Sequence, residues 1–208
     1  MDVTCQFNIG VYLSYSFPNI MNTKFISSPI VALLFTMFVA ASAYGEDVDP
    51  ALQSRIDSVI KLAETWGKDP SIVKAVKEHN AGVSAEYAAM NQEAWKNASI
   101  LDPFVRSFTK NEAAVFLKST KTAAVSEAFI SGADGLKVAF VSKPSNWSHK
   151  GKPKHDLPMT GKTWQGPIEV DESTGLKQLQ IAVPVIDGAS PIGSLVVGLS
   201  VSKLTKEN

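Results

Sequence analysis

Val125-Ser-Glu-Ala-Phe-Ile-Ser131, Gly132-Ala-Asp-Gly135 and Leu136-Lys-Val-Ala-Phe-Val-Ser142 form the stretch in which the hydrophobic period of this chain changes. Before about residue 124, apolar residues recur every three or four positions; from here onward they alternate with polar ones, the signature of half-buried strands. Two short β-type runs joined by four residues that tolerate positive φ predict a hairpin. Downstream, residues 163–170, 176–185 and 192–201 predict three more strands, separated by Asp171-Glu-Ser-Thr-Gly175 and Asp187-Gly-Ala-Ser-Pro191. The polar segment 143–162, with Pro144, Pro153 and Pro158, is too long for an ordinary connector. It is expected to be a functional cover or a disordered insertion.

Upstream, three Asp-Pro pairs stand at 49–50, 69–70 and 102–103. Each puts an N-cap acceptor before a residue whose fixed φ and missing N–H suit the first helical turn. They predict a helix over 50–66 that stops at Gly67, a helical stretch over 70–97 broken around 80–82, and a third through residue 117. Helices followed by an antiparallel meander give an α+β fold, with long N-terminal helices packed on a five-stranded antiparallel sheet.

From Met21 the chain reads MNTKFISSPIVALLFTMFVAASAYG, which is one lysine, an apolar run and then Ala41-Ser42-Ala43. This is the layout of a secretory signal peptide, and its apolar run is shorter than the roughly 18 residues a bilayer span requires. Residues 1–43 are expected to be removed near Ala43, with Met21 as the true start. Residues 44–208 are then expected to be one domain, periplasmic or secreted from a bacterium. Cys5 is the one cysteine and lies in the discarded segment, which excludes a disulfide, a thiolate metal site and c-type haem. Lysine plus arginine equals aspartate plus glutamate, at 20 each, so nothing recommends nucleic acid as a partner.

The strands divide their faces. Leu179, Ile181, Val183 and Val185 demand a core, whereas Gln178 and Gln180 point the other way; Leu195, Val197, Leu199 and Val201 likewise oppose Ser194, Gly198 and Ser200. The polar face either holds a polar ligand under the cover or is merely solvated. The cover itself carries five lysines, among them Lys150, against Asp156 alone, together with Trp147, His149 and His155. A cationic cover with an aromatic residue favours an anionic ligand; the alternative is a solvated lysine-rich loop. Glu127, alternating with Val125 and Phe129, is either an acid that grips an amine or an edge-strand charge. His149, His155 and Asp156 match no standard zinc spacing, so no metal and no cofactor are expected. No nucleophile elbow and no cysteine–histidine arrangement occurs, so the chain is not expected to be an enzyme.

Gly161-Lys-Thr-Trp-Gln-Gly-Pro-Ile-Glu-Val-Asp-Glu-Ser-Thr-Gly175, Gln180-Ile-Ala-Val-Pro-Val185 and Ile192-Gly-Ser-Leu-Val-Val-Gly198 resemble the C-terminal half of single Cache domains, the PDC or extracellular PAS-like sensors. The resemblance implies small-molecule recognition without chemistry. Family members usually precede a transmembrane helix and a signalling module, so a chain that stops at Asn208 is expected to be a free-standing form that either reports to a separate, membrane-bound partner or simply binds a ligand. Within the matched string Trp164, Asp171 and Ser173 are candidate ligand contacts, although Asp171 and Ser173 serve a turn equally well. The expected binding set is thus Glu127, Trp147, Lys150, Trp164, Asp171, Ser173, Gln178 and Gln180, for a small polar or anionic metabolite such as a carboxylate or an amino acid. The alternative is a structural or interaction protein with a vestigial pocket that docks on a membrane partner.

Overall fold

A computed structural model describes residues 48–170 and 175–206. The expected signal peptide, and Asp171 and Ser173, lie outside the described residues.

All three Asp-Pro pairs start helices. Asp49 accepts from Ala51 N (2.8 Å) to open α1 (Pro50–Trp66), Asp69 from Ser71 N (2.9 Å) to open α2 (Pro70–Ala81), and Asp102 from Phe104 N (2.8 Å) to open α5 (Pro103–Ser107). Each such cap is worth about 1 kcal/mol. Gly67 ends α1 for a different reason from the one its residue type suggests. Its φ is −60°, so no left-handed turn is needed; instead β5 passes so close that a Cβ on Gly67 would overlap the Pro184 carbonyl, while Ile186 N donates to Gly67 O at 3.0 Å.

The stretch expected as one interrupted helix over 70–97 is three. Ser84 caps α3 (Ala85–Ala89) by accepting from Tyr87 N, and Asn91 caps α4 (Gln92–Asn97) by accepting from Ala94 N. These short polar side chains compete for backbone partners and restart the chain in new directions. A further helix, α6 (Glu112–Thr120), follows α5.

The sheet is antiparallel with order β2-β1-β6-β5-β3, and β4 also pairs with β5. Its members are β1 (Val125–Gly132), β2 (Lys137–Phe140), β3 (Trp164–Gln165), β4 (Glu169–Val170), β5 (Lys177–Asp187) and β6 (Ser190–Ser200). The single strand expected over 163–170 is split at Gly166-Pro167. Gly166 N still donates to Gln180 O (2.8 Å), but proline has no N–H to continue the ladder. Val201, expected to close the last strand, instead begins the short α8 (Val201–Leu204).

One face of the sheet carries the main core. Leu179, Ile181, Val183 and Val185 meet Leu195, Val197 and Leu199 there, under Ile56, Val59 and Ala63 of α1 and Ile72 and Val76 of α2. Side chains of this kind contribute about 1.5–3 kcal/mol each on full burial. The opposite face is not simply polar. Phe129, Phe140, Ala182 and Val196 build a second core there with Tyr87, Trp95, Val105, Phe108 and Trp147.

The 143–162 segment lies on that second face as an ordered cover. It carries α7 (Pro153–Asp156) and a 3-10 turn at Pro158–Thr160, and both touch β5 and β6. It is pinned to the β1–β2 turn by His149 N donating to Gly135 O (2.9 Å) and by a bridge between Leu136 and Ser148. Gly135 has φ +80°, and a Cβ there would meet the Lys150 backbone at 2.5 Å. Gly135→Ala is therefore expected to cost about 2 kcal/mol or more, read as a lowered midpoint in urea unfolding.

Candidate functional site

The contact between cover and sheet is built from β1, β2, β5, β6 and α7. Register puts Glu127 of β1 opposite Gly198 of β6, and Gln180 of β5 opposite the same glycine. A side chain at 198 would overlap Glu127, so the glycine leaves the carboxylate lying flat across the sheet. Gln180 Nε2 donates to Glu127 Oε1, and Lys154 Nζ reaches down from α7 to donate to Gln180 Oε1 at 2.6 Å. The amide thus links an acid on one strand to a cation on the cover. Glu127 is no edge-strand charge, because β1 lies between β2 and β6.

Deeper in lies a cluster of nitrogen bases. A bulge between Ile130 and Ser131 shifts the β1–β2 register, so Lys137 sits opposite Ser131 on the covered face. Lys137 is completely buried. Its Nζ lies 2.6 Å from His149 Nδ1, 3.3 Å from Ser131 Oγ and 4.9 Å above the Phe129 ring, on which His149 also stacks. His155, buried on α7, places Nδ1 2.8 Å from Ser194 Oγ of β6.

Among the described residues no carboxylate lies within ion-pairing distance of Lys137. Burial, reinforced by repulsion from Lys154, lowers its pKa from the usual lysine range to about 7. Burial and then the charge of Lys137 push His149 down to about 2, and burial lowers Lys154 and His155 as well. Asp134 in the β1–β2 turn is held low despite partial burial, by its bonds from His79 Nε2 (3.0 Å) and from Leu136 N. An isolated buried ammonium is costly, and proteins usually pair it or neutralise it. This face therefore gathers desolvated polar groups in contact with one another: the Lys137 amine, the His149 and His155 imidazoles and the hydroxyls of Ser131 and Ser194.

The expected residues divide in this frame. Glu127 and Gln180 are brought together. Gln178 lies further along β5, opposite Ser200 and Glu169, and Trp164, on β3, pairs with Ala182 of β5 and packs against the second core. Trp147 is a core residue, buried among Tyr87, Trp95, Phe104 and Phe108 with ring centroids 4.8–6.2 Å apart. Lys150 is exposed, with its backbone N bonded to Ser148 Oγ. Lys137, Ser131 and the inward positions of His149 and His155 were not anticipated. The signal for Lys137 was a lysine inside an otherwise apolar run, but its facing depends on the bulge.

Beside the site, an open groove of about 630 Å³ runs between α2, α3, α5 and β2, lined by His79, Tyr87, Phe104 and Phe108 and reaching Lys137 and Val138. Among the described residues no group of three or more His, Cys, Asp or Glu is placed to hold a metal ion. No described helix is long and apolar enough to cross a membrane.

No family profile and no curated protein sequence matches this chain. Among solved structures it is similar to the sensor domain of the Vibrio cholerae histidine kinase DctB, at 17% identity and TM-score 0.45, over 76% of this chain and 55% of that one. It is also similar to the ligand-binding domain of the Pseudomonas aeruginosa amino acid chemoreceptor PctC in complex with GABA, at 14% identity and TM-score 0.43, over 74% and 57%. The sensor domain of Escherichia coli DcuS is similar at 13% identity and TM-score 0.43, over 76% of this chain and 97% of that one. The chain spans little more than half the length of the first two. Similarity at this level is of fold alone.

Proposed function

We propose that residues 44–208 are an exported ligand-sensing domain of the Cache type that binds a small anionic metabolite, such as a carboxylate, between the sheet and the 143–162 cover. The observation that carries this reading is the wholly buried Lys137 ammonium, faced by His149 and Ser131 and lacking a carboxylate partner. A small anion would supply the missing countercharge through charge-assisted hydrogen bonds from Lys137, His155 and the two serines. Glu127, Gln180 and Lys154 would form the second wall, where a ligand with an amine could also meet Glu127.

A thermal-shift panel of small carboxylates, amino acids and amines tests it. Stabilisation by carboxylates or zwitterions, reduced at least about tenfold in affinity by Gln180→Leu, is the expected outcome. Stabilisation by amines alone would contradict the anionic assignment.

The same site favours a second reading at one point. Lys137 already bonds His149, His155 bonds Ser194, and Gln180 bonds both Glu127 and Lys154, as they would in a vestigial pocket of an interaction protein. On that reading no compound of the panel shifts the midpoint. Export has its own check: N-terminal sequencing of the secreted protein is expected to begin at Tyr44.

A further inference from the structure

We propose that the Lys137–His149 contact is an acid-sensitive latch, so that the cover opens when both groups are protonated and recloses only around an anion. The inference rests on the ligand-binding reading above and adds its regulation. At a separation of 2.6 Å the two nitrogens must share one proton, because one has to donate and the other accept. With Lys137 as donor, His149 Nδ1 is the acceptor, and the imidazole is neutral with its proton on Nε2. A second proton would put two like charges in contact in a site closed to water, and the repulsion there is far larger than at the surface. Only one of the two partners can leave. Lys137 is fixed in a strand, whereas His149 belongs to the cover, so protonation drives His149 and its segment away from the sheet.

The surroundings reinforce the sign. From the cover, Lys152, Lys154 and His155 add positive charge around His149, partly offset by Asp156 beside His155. From the sheet and its turn, Glu127 offsets Lys154, and Asp134 faces Lys137 and His155 but is already engaged by His79. Tyr87 of α3 donates its hydroxyl to the Lys137 backbone carbonyl at 2.7 Å. An anion lodged between the nitrogens would remove the conflict and let both stay protonated. Occupancy would then report acidity together with ligand concentration, because the ligand enters with a proton.

Hydrogen–deuterium exchange of the mature protein, corrected for intrinsic rates, tests this without knowledge of the natural ligand. Between about pH 8 and about pH 5.5, a window that spans the ordinary imidazole pKa, the His149 and His155 amides should lose protection about tenfold or more relative to β5 and β6. In Lys137→Met and in His149→Gln, neither of which can hold two charges at this contact, that pH dependence should disappear. Sodium sulfate, an anion throughout this window, should restore protection at the acid end when sodium chloride of equal ionic strength does not. Constant protection in the wild type, or a loss that persists in both variants, overturns the latch; chloride acting as well as sulfate overturns its anion coupling. A latch that fails while carboxylates still stabilise the protein at neutral pH leaves the sensing function standing.

Discussion

Lys137→Met is expected to make the protein more stable at neutral pH, although it removes a hydrogen bond from the interior. The lysine is wholly buried, and its pKa falls from 10.5 to about 7 mainly through desolvation. At about 1.4 kcal/mol per pKa unit, the burden of keeping it charged is on the order of 5 kcal/mol at and below pH 7. Methionine fills similar volume but leaves His149 Nδ1 and Ser131 Oγ without this donor, which returns about 1–3 kcal/mol. The difference favours the variant by roughly 2–4 kcal/mol. The pH dependence has a definite sign. Because the folded-state pKa is depressed, the unfolded chain binds the extra proton between pH 7 and 10.5, and wild-type stability rises with pH across that window. The advantage of the variant should therefore be full below pH 7 and fade toward pH 10.5. Urea unfolding of both proteins at several pH values measures it; a variant less stable than wild type at neutral pH would show that the cluster serves stability and would remove the argument for a missing anion.

Trp147→Ala should act in the opposite direction. Its indole is buried against Tyr87, Trp95, Phe104 and Phe108, and its backbone N donates to Gln92 Oε1 at 2.8 Å, so it nails the cover to the α3–α5 layer. Truncating a tryptophan in such a setting costs about 3–5 kcal/mol, a large part of the stability of a single domain. Trp147→Phe, which keeps an aromatic ring in the cavity, should recover roughly half of that loss. Equal losses for alanine and phenylalanine would mean that the indole is held by something other than packing.

Much of the architecture is written in local chemistry. The Asp-Pro pairs place three helix starts to the residue, and the alternation through residues 176–185 and 192–200 separates the main-core face from its reverse without long-range information. What pattern alone does not decide is where non-local contacts intervene. Gly67 looks like a helix stop, yet its purpose is the close passage of β5. Residues 163–170 alternate like one strand, yet Gly166-Pro167 cuts them in two.

The site follows the same division. Glu127 and Gln180 are legible as polar residues on a known face, and their meeting follows from register. Trp147 reads as a lid aromatic because cover sequences look exposed; its place in a second core depends on α3, α4 and α5 folding back over the sheet. Lys137 is the instructive omission, since one extra residue in its own strand, Val138, turns its side chain away from the face that carries Ala139 and into the buried centre of the cluster. Bulges change facing without leaving a mark in composition.

Native mass spectrometry of the mature wild-type protein, beside Lys137→Met, tests the central claim most directly. The account predicts a small acidic molecule held by the wild type and absent from the folded variant. A wild-type protein that is reproducibly empty, or a ligand retained equally when Lys137 is gone, would contradict it.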